Sequence, residues 1–373
     1  MGPRSPRRKG TGGGEALSFV SLREAAAKAN AAPRANTGTQ TNGMPGPPLR
    51  LWRPSLAVVG FVALAATAVL IAPSGRSSLG LAARPVSIPA TTPLPAGTPG
   101  GTPSRPAAAD AAGGPLDPAR FGPSACVALL PTAGDRHQTV FLDAGHGGPD
   151  PGALGVTQGG VGVDEARLTL PTAVDAARLL QGRGYRVVLS RTGNAAVAIP
   201  GPGDLWSGVY TVEGALKDWT ARAACANAAH AAVLVSIHFN AAASPENGGM
   251  LTAYDDVRPF AADNRRLASL LHAQILGSMN AKGWGIPDAG VTTDGSAGAP
   301  ALDAAGRAYG RLVILGPAAP GYLATPSEMP GAVVEPLFLT DPFEASIAAG
   351  ADGQQAIAAG VAQAVGTFLG AGG

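Results

Sequence analysis

The sequence predicts an α/β protein, with one folded domain on a mostly parallel, twisted sheet and helices on both faces. Three observations predict it. From about residue 136, short β-rich runs alternate with Ala/Leu-rich segments of helical period. Alternating units of this kind build a parallel sheet with crossover helices. The stretch is long enough for one sizeable core and shows no internal repeat.

The elements follow in order. Thr139–Asp143 reads as a buried strand. In 170–182, Leu170, Ala173, Ala177 and Leu180 share one helical face, and Gly182 ends it. Because proline is tolerated best in a first turn, the regular helix is expected to begin near Pro171. Tyr185–Ser190 is a strand, Trp219–His230 a helix and Ala232–His238 a strand. Gly248–Tyr254 is a further strand and Asn264–Ala281 an amphipathic helix. Gly331–Glu335 is the last strand, and Gln354–Leu369 closes the domain. Residues 193–218 form a long connection carrying Trp206 and Tyr210. Connections of that length are usually functional or disordered, and this one is expected at the cleft rim.

Upstream of 136 the composition changes. The chain holds 53 Gly and 34 Pro in 373 residues without a Gly-X-Y period, so long stretches cannot pack a core and collagen is excluded. Residues 1–54 are a basic segment expected to be disordered, and Met44 offers a second start. Ser55–Ala72 is an apolar run without a charge. As a helix it spans about 27 Å, enough for a bilayer core. Arg50 and Arg53 precede it, so its N-terminus stays cytoplasmic as an anchor; a cleaved signal peptide is the other reading. Residues 73–135 read as a Pro/Gly/Ala-rich spacer. The division is therefore 1–54, 55–72, 73–135 and 136–373.

Net charge is +2, unevenly placed. Residues 1–54 carry nine Lys/Arg and two Glu, 73–122 carry +2, and 123–373 carry −7. An acidic folded part argues against nucleic acid as partner. Two cysteines exclude a disulfide-dense scaffold and a Cys₄ zinc module. Cys126 and Cys225 either pair, as an oxidising compartment allows, or stay as separate buried thiols.

Chemistry concentrates at strand exits, where open α/β sheets place their sites. LDAGHGGPDPGALG (142–155) carries His146 between glycines. SIHFNA (236–241) ends an apolar strand on His238, and VVEPLF (333–338) ends one on Glu335. Glu165 precedes the helix after the first strand, with Asp164 beside it. Two histidines and a carboxylate can supply three ligands of an open catalytic zinc, and a second carboxylate can serve as general base. His137, His230 and His272 read as surface or structural residues. Alone, these residues reach only as far as a metal hydrolase.

The strand followed by DAGHGG-DPGA at 143–153 resembles the opening of zinc-dependent N-acetylmuramoyl-L-alanine amidases of the amidase-3 type. A Glu before a Leu-rich helix, GYRVVLSR ending at Arg191, Arg222 and Asn227 before a strand, SIHFNA, and VVE follow in the family's order. The resemblance covers about 137–370. It implies His146, Glu165 and His238 as zinc ligands, with Asp164 the alternative to Glu165, and Glu335 as the catalytic carboxylate. It implies hydrolysis of the amide joining N-acetylmuramic acid to the stem peptide's L-alanine, so peptidoglycan is the expected partner. The enzyme is expected in the cell envelope, membrane-held through 55–72 or secreted, as a monomer. A protein activator is left open. Pro336 and Asp341 depart from the family's Gly and Asn after the glutamate. Another cell-wall zinc hydrolase, a carboxypeptidase or deacetylase, and a wall-binding protein with a decayed site are the alternative readings.

Overall fold

The computed structural model describes residues 112–295 and 304–370. The expectations for 1–54, 55–72 and most of the spacer lie outside these residues. Among the described residues, no helix is long and apolar enough to cross a membrane.

The main sheet has eight strands in the order β1-β2-β6-β3-β9-β12-β10-β11. At its centre, β6 (Arg186–Arg191), β3 (Thr139–Ala144), β9 (Val233–Ile237) and β12 (Gly331–Glu335) run parallel. On one side β2 (Ala125–Leu129) joins β6 antiparallel and carries β1 (Ala112–Pro115) at the edge. On the other, β10 (Met250–Tyr254) joins β12 antiparallel, and β11 (Asp288–Thr293) lies parallel to β10. The sheet is thus mixed but mostly parallel, as the sequence predicts.

Both faces are covered, which explains why the central strands read as apolar runs. Val140, Leu142, Val187, Leu189, Val235 and Val334 point to one side. There they pack against α1 (Glu165–Gln181), α3 (Ala261–Asn280) and α6 (Ala351–Gly370). Phe141, Val188, Leu234 and Val333 alternate to the other side and meet Cys225 and Ala226 of α2 (Val212–Ala228), with Leu315 and Met329. Two short helices, α4 (Ala304–Tyr309) and α5 (Pro342–Ala349), complete the set. Two ribbons lie outside the main sheet: β4 (Leu154–Val156) with β5 (Gly162–Asp164), and β7 (Leu205–Trp206) with β8 (Val209–Tyr210).

Three boundaries differ most from the sequence reading. Helix α1 begins at Glu165, not near Pro171, because Asp164 caps it and accepts the Arg167 N–H at 3.1 Å. Pro171 sits inside the helix. Helix α2 begins at Val212, seven residues before Trp219, since Thr211 accepts the Gly214 N–H at 3.1 Å as N-cap. The spacer expected to reach 135 already contains β1 and β2. Antiparallel pairing with β6 holds β2 there despite the Pro/Gly-rich composition.

Cys126 of β2 and Cys225 of α2 form a disulfide, settling the two cysteine readings in favour of pairing. The bridge joins residues 99 apart in sequence, so it restricts the unfolded chain strongly. Reduction should lower the unfolding free energy by about 2–4 kcal/mol. Urea unfolding with and without reductant measures this; coincident curves would contradict it.

Glu344 of α5 is buried and accepts the N–H groups of Gly249 and Phe338 at 2.7 and 2.6 Å, linking the segment after Glu335 to the start of β10. Burial pushes its carboxyl up to about 7, against the pull of those two N–H bonds. The folded state therefore holds this proton more tightly than the unfolded one. Its contribution is complete below about pH 4.5 and is lost as pH rises towards 7. Glu344→Gln should flatten that decline in stability between pH 5 and 8. Urea midpoints of the two proteins across this range provide the check.

Candidate active site

Three parallel strands end side by side and deliver the candidate residues. β3 leads through Gly145 to His146, His238 follows β9, and Glu335 closes β12. Glu165 is the first residue of α1 and comes back to the same place after the β4–β5 ribbon. All four belong to one cleft at the carboxyl ends of these strands. Asp164 is spent on capping α1 and on Arg167, which leaves Glu165 as the carboxylate that faces the histidines.

The three expected ligands touch one another. His146 Nε2 lies 3.0 Å from Glu165 Oε2, His238 Nδ1 lies 2.9 Å from Glu165 Oε1, and the two histidine nitrogens are 3.1 Å apart. Among the described residues, this is the one group of His, Cys, Asp or Glu side chains spaced to hold a metal ion. Two imidazole nitrogens and a carboxylate are the donor set of an open zinc site. Glu335 Oε2, buried in the same cleft, has no hydrogen-bond partner among the described residues. The residues present therefore fit a zinc ion with a free acceptor beside it.

The surroundings hold these groups tightly. His146 adopts φ 60°, a left-handed conformation unusual for a residue with a side chain. Its Nδ1 meets Asp150 Oδ2 at 2.7 Å. Glu165 also accepts the N–H groups of Ala153 and Phe239 at 2.8 and 2.9 Å. Two glycines make room. A Cβ on Gly145 would stand 2.2 Å from the His238 ring, and one on Gly152, at φ +69°, would stand 2.6 Å from Glu165 Oε2. The cleft lining also includes the apolar residues Leu312, Val313 and Ile314.

Ionisation follows from this packing. Burial opposes charge on Glu165, but the adjacent His146 and His238 hold its carboxyl well below the usual range. Burial likewise opposes charge on His146, yet Glu165 and Asp150 raise it well above an ordinary imidazole. Glu335 is moved the other way. Burial, then the nearby Glu165 charge, push its carboxyl well up.

Arg222 of α2 is buried and ties the site to the sheet. It donates to Asp143 at 2.6 Å, to Asp218 at 2.9 Å, and to the carbonyls of Ala144 and His146 at 2.9 and 2.7 Å. The sequence reading missed Asp150, though its place four residues after His146 in GHGGPD was a usable signal. It also missed Trp219, which lines the cleft and stacks on His238. Trp206 and Tyr210, expected at the rim, do not line it. Trp206 is exposed at the ribbon tip, and the Tyr210 hydroxyl lies 3.2 Å from Asp218. His272 fits its structural reading, between Thr252 and Asp288.

Fold and cluster together define an α/β protein with a His/Glu/His site suited to a catalytic cation. The N-acetylmuramoyl-L-alanine amidase family of the amidase-3 type matches residues 140–367, and the chain belongs to that family. No curated protein matches the chain. Among solved structures, the CwlD amidase from Clostridioides difficile, determined with the GerS lipoprotein, is 19% identical. It covers 63% of this chain and 99% of its own, with a TM-score of 0.46. An N-acetylmuramoyl-L-alanine amidase from Clostridium difficile 630 is 26% identical over 63% of this chain and 98% of its own, TM-score 0.45. Ami1 from Mycobacterium smegmatis is 20% identical over 64% of this chain and 100% of its own, TM-score 0.44.

Arg222→Met should cost about 3–5 kcal/mol, because Asp143 and Asp218 would be left buried without their cation. Urea unfolding tests this; a loss under 1 kcal/mol would show that the pair is dispensable.

Proposed function

We propose that this chain is a zinc-dependent peptidoglycan hydrolase. It cleaves the amide between the lactyl group of N-acetylmuramic acid and the L-alanine of the stem peptide. The observation that carries the reading is the convergence of His146, Glu165 and His238 within 4.8 Å, with Glu335 in the same cleft. His146, Glu165 and His238 hold the ion, and Glu335 is the catalytic carboxylate. Zinc, when bound, polarises the amide carbonyl and acidifies water.

The protein's own groups supply the rest. Glu335 lies beside apolar Val333 and keeps one oxygen free of protein partners, so it can receive a proton from water. The raised affinity of its carboxyl for that proton suits later delivery to the departing amine. Asp150 orients His146, and the N–H groups of Ala153 and Phe239 orient Glu165. The enzyme acts in the cell envelope, where 55–72 holds it to the membrane or directs its export, and 73–111 provides reach.

Full-length protein incubated with purified muropeptides, followed by mass spectrometry, tests this. Free lactyl-muramoyl groups and a new N-terminal alanine are the expected products, and a chelator should abolish them. Removal of a terminal D-alanine or of an acetyl group would replace this reading with a carboxypeptidase or a deacetylase. Glu335→Gln should retain zinc and lose roughly 10²–10⁴-fold in turnover. Near-normal turnover would move the proton-transfer role elsewhere.

A further inference from the structure

The two histidines of the cluster are held by different means. His146 is oriented through its second nitrogen, with Nδ1 on Asp150 Oδ2 at 2.7 Å and Nε2 facing Glu165. Metal-binding histidines are almost always fixed in this way, by a carboxylate, carbonyl or water on the outer nitrogen. His238 turns Nδ1 towards Glu165 and His146. Its Nε2 is buried and has no hydrogen-bond partner among the described residues. An imidazole held by one nitrogen can still swing about that contact. Its plane has to be fixed by what packs on its faces.

Two surfaces do this. Gly145 lies so close that a Cβ there would come within 2.6 Å of three ring atoms of His238. The Trp219 indole stacks on His238 with ring centroids 5.4 Å apart and 25° between planes. The same indole meets His146 edge-on, at 6.2 Å and 78°. It is itself anchored. The Arg222 guanidinium lies 5.2 Å from its ring centroid, Arg222 is bonded to Asp143 and Asp218, and Cys225 further along α2 is bridged to β2. Aromatic faces at this separation attract in defined geometries, so the contact constrains the ring plane as well as filling space.

We infer that Trp219 is a positioning residue for the metal site: its stacked face does for His238 what the Asp150 carboxylate does for His146. The inference rests on the zinc reading above and adds a residue that acts through His238. It also makes the two ligands unequal. A carboxylate partner raises the basicity of its histidine, whereas an indole face only fixes orientation.

Zinc affinity of the full-length chain, measured by competition with a chromophoric chelator, tests this independently of catalysis. Trp219→Leu keeps an apolar side chain without a stacking face, and Trp219→Phe restores a smaller face. Trp219→Leu should weaken zinc binding by about 10–100-fold, as Asp150→Asn should, and Trp219→Phe should recover most of the loss. At saturating zinc, kcat should fall in Trp219→Leu with little change in KM. Wild-type zinc affinity in a folded Trp219→Leu, or a change confined to KM, would overturn the inference and make Trp219 a substrate contact. If Trp219→Leu does not fold, Trp219→Phe and Trp219→Tyr decide, since near-wild-type affinity is expected in the first and a loss equal to that of Asp150→Asn in both would overturn it. A wild-type chain that binds zinc but leaves muropeptides intact would defeat the amidase reading and leave this comparison standing. Absence of zinc binding in wild type would defeat both.

Discussion

The buried pair of Arg222 and Asp143 is the constraint on which the site depends. Both side chains are almost fully removed from solvent, and burying two charges is costly unless every donor and acceptor is used. Here they are used. Arg222 reaches Asp143, Asp218 and two main-chain carbonyls. Asp143 turns its second oxygen to Ser236 of β9 at 2.7 Å. Burial works against an ionised Asp143, but Arg222 and then His238, Ser236 and Ser190 keep its carboxyl below the usual range. One ion pair thereby joins β3, β9, α2 and the turn that presents His146.

A second arginine completes the clamp without a carboxylate of its own. Arg191 is buried at the end of β6 and donates to the carbonyls of Ala144, Gly145, Ala166 and Gly193, and to Thr169 Oγ1. Burial and the nearby Arg222 charge lower its pKa to about 10, and Asp143, Asp218 and Asp150 offset this from a distance. It remains charged at neutral pH. The Ala144 carbonyl accepts from both arginines, at 3.0 and 2.9 Å. The backbone from 144 to 146 is thus held from two sides. That accounts for a left-handed His146 persisting between glycines, where a free chain would relax.

Much of this was legible in the sequence, and the reason is local. Buried parallel strands are short apolar runs, and β3, β6, β9 and β12 stand out with their polar exits attached. His146, Glu165, His238 and Glu335 stand out as candidates because each sits next to such a boundary. Elements fixed by distant partners were not legible. β1 and β2 lie in a Pro/Gly-rich stretch and exist through pairing with β6 and the Cys126–Cys225 bridge. β11 is half-exposed and depends on β10. The first half of α2, VEGALKD, lacks an apolar stripe and is set by its Thr211 cap and by Lys217 on Asp204. Missing that half made Trp219 look like the start of a helix, when it is a mid-helix residue facing the cleft.

The two glutamates show how one cleft gives the same side chain two chemistries. Glu165 is enclosed by two imidazoles and two backbone N–H groups, so its charged form is favoured in spite of burial. Glu335 lies on the last residue of a fully buried strand, with one oxygen unpaired and Glu165 close enough to repel its charge. Paired carboxylates driven apart in this way differ in how readily they carry charge. The same cleft also has an apolar wall. That wall, Leu312–Ile314, follows Arg311, which meets Asp255, Asp256 and Asp294 at 3.1, 3.0 and 2.6 Å. Arg258 holds the carbonyls of Leu315 and Gly316 at 3.2 and 3.0 Å from the same side. The apolar wall is therefore held by largely buried ion pairs at the ends of β10 and β11, while the turn that presents His146 is held by Arg191 of β6 and Arg222 of α2.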